Sequence, residues 1–266
     1  MPGFTAIAAS QLARLIGTPD APALIDIRTE EDFAADPRLI PGAFRHSYDR
    51  IDSLAPELTG RHAVVICQKG QKLSEGAAAL LRCHGVAAES LEGGALAWAA
   101  ERLSMIPAAA LPRSRLWVTR HRPKIDRIAC PWLIRRFVDA EARFLFVAPA
   151  EVSAVADRFG ATPYDIEGVP FSHRGEKCSF DALLDDLCLR SEALDRLALV
   201  VRGADTDRHE LAPQAAGLLA ISVGLSRQYR DDLAQLEAGM VLYDALYRWA
   251  RDGFEEGHDW PATRKT

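Results

Sequence analysis

The segment Val64-Val65-Ile66-Cys67-Gln68-Lys69-Gly70-Gln71-Lys72 determines the reading of the first half of this chain. Ala63 to Ile66 is a short apolar run of the kind that forms a parallel strand buried on both faces. Cys67 ends it. A tight polar loop follows, with Gly70 at its centre, and a helix is predicted from Leu73 to His84. A thiol placed there meets loop N–H groups and the positive end of a helix dipole, and Lys69 and Lys72 add full charges. All of these favour thiolate over thiol. The same loop makes a cradle for a small anion. A cysteine ending a buried strand can equally be a small core residue, so the loop by itself leaves both readings open.

Strand and helix signals alternate on either side of this loop. Ser10 is expected to cap a helix running through Ile16. Ala23 to Arg28 reads as a strand. Thr29 caps a second helix, with Glu30, Glu31 and Asp32 at its positive end. Ala87 to Leu91 reads as another strand. Such alternation predicts an α/β domain, a parallel sheet with helices on both faces. Met105 to Arg115 contains Pro107 and Pro112 and reads as a boundary. The expected division is a first domain over residues 1–106, a linker over 107–115, a second domain over 116–254 and a tail over 255–266.

The second half reads as mainly helical with a small sheet. A helix is predicted from Asp126 to Asp139, with Asp126 as cap and Pro131 near the first turn. A strand at Arg143 to Val147, a helix at Ala150 to Phe159 and a strand at Leu197 to Arg202 follow. Two long helices then fill Leu211 to Ala250, broken near Leu225-Ser226.

Four motifs of the first half, in order, resemble those of the rhodanese family. Asp26-Ile27-Arg28 is similar to its Asp-x-Arg after an early strand. Ile40-Pro41-Gly42-Ala43 is similar to its turn, and Cys67 to Lys72 to its active loop. Leu91-Glu92-Gly93-Gly94-Ala95-Leu96-Ala97-Trp98 is similar to its closing segment. The resemblance implies a rhodanese-like domain in which Cys67 attacks the outer sulfur of a donor such as thiosulfate. Cys67 then holds that sulfur as a persulfide and passes it to a thiol or cyanide. Backbone N–H groups of Gln68, Lys69, Gly70, Gln71 and Lys72 would stabilise the persulfide anion, and no cofactor is called for. Lys72 stands where the family has arginine, keeping the charge but not the bidentate fork. Leu73 replaces a small or hydroxylated residue, and Leu39 a common histidine. The loop is shorter than in related phosphatases and arsenate reductases, which favours sulfur chemistry. Asp26 reads as a structural brace, and Arg28 as a candidate anion contact.

Arg113 to Arg136 is rich in basic residues, with Trp117 and Trp132 interleaved. Three readings stay open: an oxyanion pocket built from Arg120, His121, Arg122, Lys124 and Arg127; nucleic-acid contact; or a solvated face with structural ion pairs. Two further polar clusters, Ser172 to Cys178 and Arg202 to Glu210, supply His173, Asp205 and Asp207 as candidate ligands for a divalent metal ion, although no zinc-type spacing is present. Several runs here resemble the C-terminal domain of the ChrB chromate-resistance family. They include His121 to Arg127, Cys130 to Phe137, Ser172 to Gly175, Val201 to Thr206, Leu218 to Ser226 and Tyr243 to Tyr247. The resemblance links the chain to chromate. Some members are chromate-responsive regulators, but those carry a different N-terminal region.

The bulk composition narrows the classes. A net charge of -5 argues against general attraction to nucleic acid. No apolar run approaches the ~20 residues of a membrane helix, and no leader is visible. Five cysteines without framework spacing predict reduced thiols in the cytoplasm, with Cys83, Cys130, Cys178 and Cys188 read as core. The expected function is sulfur transfer through Cys67, linked to chromate or oxyanion resistance. The alternatives are a chromate- or redox-responsive regulator and a metal-dependent redox enzyme acting on chromate.

Overall fold

The computed structural model describes residues 5–257. Most of the predicted tail, 258–266, lies outside the described residues. The first half opens with β1 (Ala6–Ile7), α1 (Ala9–Leu15), β2 (Ala23–Asp26), α2 (Glu30–Ala35), β3 (Arg38–Leu39) and β4 (Ala43–Arg45). β5 (His62–Ile66), α3 (Lys72–Cys83), β6 (Ala87–Leu91) and α4 (Gly94–Ala100) complete it. Five of these strands form one parallel sheet in the order β1-β6-β5-β2-β4. β5 sits at its centre, and its residues from Ala63 to Ile66 are all buried.

The two-residue period of the strand separates two cores. Val64 and Ile66 join Leu12, Leu24 and Trp98 on one face. Ala63, Val65 and Cys67 join Ile25, Ile27, Ala77, Ala78 and Leu81 on the other. The parallel sheet covered on both faces is therefore present as predicted, and Cys67 belongs to the face that α3 packs against. Thr29 caps α2 by accepting a hydrogen bond from the Asp32 N–H at 3.1 Å. The cap of α1 is Ala8 rather than Ser10, and its N–H donates to the Gln11 side chain at 3.2 Å.

The proline-rich connection is not a free linker at its start. β7 (Ile106–Pro107) pairs antiparallel with β3, and a single 3₁₀ turn follows at Ala108–Ala110. β8 (Leu116–Arg120), α5 (Asp126–Phe137), β9 (Arg143–Val147), α6 (Val152–Phe159) and β10 (Thr162–Pro163) then build a second sheet, parallel, in the order β10-β8-β9. α7 (Ser179–Asp186), α8 (Glu192–Asp205), α9 (Gln214–Gln228) and α10 (Asp232–Asp252) complete the chain. This half is mostly helical with a small sheet.

One predicted strand is a helix. Leu197 to Arg202 lies inside α8, where Leu194, Leu197, Ala198 and Val201 are buried at helical spacing. Ser191 caps it, accepting from the Leu194 N–H at 3.2 Å. The apolar β-branched run suggested a strand because Leu197 to Val201 is apolar at every position, exposed Leu199 included, and so short a window hides the helical period. Pro131 lies in the second turn of α5, not the first, and so removes an internal hydrogen bond to Arg127 O. The Tyr164 hydroxyl lies 3.4 Å from that carbonyl and takes the place of the missing donor. The break between the last two helices falls at residues 229–231, just beyond Leu225-Ser226.

The larger core runs without interruption from the first half into the second, through Leu12, Trp98, Trp132 and Phe137. Gly17 lies against Phe137 and Tyr247 so closely that a Cβ there would collide with both rings. Ser104 Oγ donates to Arg190 O at 2.7 Å and adds a polar tie. Cys130 and Cys178 are buried core residues, but Cys83 and Cys188 are exposed. Cys83 falls on the outer side of α3, and Cys188 follows α7 at positive φ.

Candidate active site

β5 delivers Cys67 to the end of the sheet, and α3 begins five residues later. Cys67 is 5% exposed. Its Sγ lies 3.2 Å from Ser74 Oγ, and the same hydroxyl lies 3.1 Å from Gln71 O, so its single proton can serve either acceptor. Burial by itself would push the thiol up. Hydrogen bonds from the Ser74 hydroxyl and from the N–H groups of Ser74, Gln71 and Lys69 outweigh it and hold Cys67 below its ordinary value. Lys69, Gln71 and Lys72 are exposed, and Gln68 and Gly70 are half-buried.

The loop is held in this shape from behind. The α4 N-terminus donates from Ala95 N to Cys67 O at 3.0 Å and from Leu96 N to Gln68 O at 3.1 Å. The carbonyls are thus turned towards α4 while N–H groups turn towards the sulfur. The close approach requires glycine on both sides. Gly70 has φ +64, and a Cβ on it would lie 2.5 Å from Gly93 N. A Cβ on Gly94 would collide with Cys67 O and lie 2.5 Å from Gly70 N. The closing Leu-Glu-Gly-Gly segment is therefore part of the thiol site's support.

Ser74 was not singled out from the sequence. Leu73 takes the position where a small or hydroxylated residue is common, and the hydroxyl comes from the next residue. A buried serine at the third position of a helix that follows a thiol loop is the signal that would have found it. Arg28 lies elsewhere. It is buried, pairs with Asp26 at 2.6 Å, and donates to Asp36 O at 3.0 Å and to Arg38 O at 2.5 Å. Its guanidinium is fully occupied in bracing the fold, which removes it as an anion contact.

The basic residues of the second half separate. Arg120 and Arg127 converge on Asp165, at 3.0 and 3.4 Å. Arg122 turns away and closes the end of α9 through Tyr229 O at 2.9 Å, Ser226 O and the Asp232 carboxylate. His121 is exposed, and its carbonyl accepts from Arg127 at 3.0 Å. Exposed Lys124 joins Arg120 and Arg127 along a cleft of about 440 Å³ that also contains Asp165, His173, Asp205 and Asp207. The five-residue oxyanion set thus reduces to three residues that share a cleft.

The candidate metal ligands change membership. His173 Nε2 lies 3.1 Å from Asp205, 3.5 Å from Asp165 and 3.6 Å from Asp126. Asp207 touches the cleft edge, but its side chain is 88% exposed and faces His209 at 3.6 Å. Asp126 takes its place; it is the first residue of α5, after an N-cap at Ile125 with φ +37. That conformation is costly for a β-branched residue and is held by Tyr243, whose hydroxyl donates to Ile125 O at 3.1 Å.

The electrostatics of this cluster are uneven. Burial pushes the Asp126 carboxyl well up, and the neighbouring carboxylates of Asp205 and Asp165 add to it. Asp205 is raised for the same two reasons. Asp165 is held low, because hydrogen bonds from His173, Ser179 and Arg120 outweigh its burial. His173 is raised to about 9, first by its hydrogen bond to Asp165 and then by the other two carboxylates. Among the described residues, Asp126, His173 and Asp205 are the group placed to hold a metal ion.

Residues 117–250 match the family model of the ChrB C-terminal domain, and residues 8–101 match that of the rhodanese-like domain. The chain belongs to the family of the ChrB C-terminal domain. Its ChrB-type half follows a rhodanese-like domain. Over 137 residues it is 36% identical to Protein ChrB of Cupriavidus metallidurans, a match that spans 51% of this chain and 40% of that protein. The chain therefore aligns with less than half the length of this ChrB relative. Among solved structures, a rhodanese-like domain protein of Staphylococcus aureus is similar at 24% identity over 36% of this chain and 91% of that one, with a TM-score of 0.32. SSP1007 of Staphylococcus saprophyticus gives 24% identity over 36% and 93%, also with a TM-score of 0.32. No helix among the described residues is long and apolar enough to cross a membrane.

Proposed function

We propose that this protein is a sulfurtransferase that carries a sulfane sulfur on Cys67 and serves chromate or oxyanion resistance. The observation that carries the reading is the lowered thiol of Cys67, 3.2 Å from Ser74 Oγ and ringed by loop N–H groups. Thiosulfate is the donor considered. The Cys67 thiolate attacks the outer sulfur and a new S–S bond forms. The S–S bond of thiosulfate breaks, and sulfite leaves with the electron pair. An acceptor thiolate or cyanide then attacks the outer sulfur of the persulfide, forming an acceptor persulfide or thiocyanate and returning Cys67 as thiolate. The N–H groups of Lys69, Gln71 and Ser74 favour the anionic sulfur at both stages. Exposed Lys69 and Lys72 supply positive charge for drawing in a dianionic donor.

The ChrB-type domain and the relationship to Protein ChrB support the link to chromate. The deciding experiment is intact-protein mass after incubation with thiosulfate, beside a Cys67→Ser control. Gain of one sulfur atom on the parent alone is expected. No gain on a parent whose Cys67 is reduced and alkylatable would overturn the reading.

A further inference from the structure

Three carboxylates and one imidazole meet where the start of α5, the loop after β10 and the end of α8 come together. Their charges are not balanced alike. Asp165 is matched by Arg120 at 3.0 Å, Arg127 at 3.4 Å and the Ser179 hydroxyl at 2.8 Å. Asp126 and Asp205 have no arginine or lysine within ion-pair distance among the described residues, only His173. Asp126 is 1% exposed. One of its oxygens accepts from the Ser179 N–H at the start of α7. The other, Oδ1, is buried with no hydrogen-bond partner.

A buried carboxyl oxygen needs a cation or a donor, and no hydrogen-bond partner reaches Asp126 Oδ1. A metal ion would meet that need. One ligand atom each from Asp126, His173 and Asp205 can be chosen so that all lie within 4.8 Å of one another, a separation that suits one ion. One imidazole nitrogen with two carboxylate oxygens suits Mn²⁺, Fe²⁺ or Zn²⁺. The cleft of about 440 Å³ gives an ion a route from solution.

We propose that Asp126, His173 and Asp205 bind one divalent first-row metal ion on the cleft floor of the ChrB-type domain. Asp165 stays outside the ligand set, because its carboxylate is already satisfied by two arginines and Ser179.

The test is titration of the full chain, stripped with chelator, with Mn²⁺ followed by loss of the free-ion EPR signal, and with Zn²⁺ followed by calorimetry. One equivalent of either ion is expected to bind. His173→Ala and Asp205→Asn should each weaken it roughly tenfold or more, and Asp126→Asn should do the same. Asp207→Asn should leave it unchanged. Melting of the metal-free variants checks that they fold, and the partly exposed positions 173 and 205 keep the test available if the Asp126 variant does not. Failure of both ions to bind the folded chain at millimolar concentration would overturn the proposal, as would binding that survives the substitutions at 173 and 205.

Discussion

The thiol loop and the histidine–carboxylate cluster are built in opposite ways. Every group around Cys67 Sγ comes from residues 67 to 74, a strand end, a turn and the first turn of a helix. The cluster around His173 draws on residues 126, 165 and 205, which stand far apart in the chain and on different elements. The first site is therefore visible as a motif. The second exists only once α5 and α8 are packed. The difference extends to electrostatics. Local N–H donors favour the thiolate form of Cys67, whereas the cluster holds three carboxyl groups against limited positive charge, so its balance depends on long-range placement.

The sharpest break of this comparison is Cys67→Ser, which should abolish sulfur loading completely, as read by mass, while leaving metal binding in the other half untouched. Next in size is Arg28→Met. Removing one member of a buried pair should cost about 3–5 kcal/mol in urea unfolding. Sulfur loading per folded molecule should be unchanged, because Arg28 braces β2 and does not face the loop's anion. Gly94→Ala tests the support of the loop. The added Cβ collides with Cys67 O, so a loss of about 2 kcal/mol or more is expected. Sulfur loading should fall with it, because the loop must shift.

Smaller effects sharpen the same contrast. Ser74→Ala removes the hydroxyl at 3.2 Å from the sulfur. The Cys67 pKa, depressed in the folded protein, should rise, and iodoacetamide alkylation at pH 7 should slow roughly fivefold to tenfold. A plot of alkylation rate against pH should move its midpoint upward in the variant. Asp207→Asn is the weakest. With its side chain 88% exposed, it should change stability by no more than ~0.5 kcal/mol.

Local patterns explain what could be read directly and what could not. The run at residues 63–66 and the cap of α2 follow rules confined to neighbouring residues, and the cap of α8, not singled out from the sequence, obeys the same rule. In the same way, Thr29 and Ser191 lie where their oxygens reach the third N–H of a helix. The apolar run at 197–201 misled because five consecutive apolar residues show no period by themselves, and the helical spacing emerges only over the longer stretch from Leu194 to Ala204. Arg28 illustrates the same limit in the site. An arginine at the end of a strand is a candidate anion contact until the fold shows where its fork points.

The amino-acid sequence on its own determined the parallel α/β domain, the helix-rich second half and the thiol at the end of β5, because strand period, turn glycine and helix start are set within a few residues. Only the tertiary structure decided that Ser74 reaches the sulfur, that Gly70 and Gly94 interlock, that the basic residues divide between Asp165 and the end of α9, and that Asp126 rather than Asp207 joins His173 and Asp205. Each of those depends on a few ångströms between residues distant in the chain or on the course of a turn, and such distances are fixed by packing.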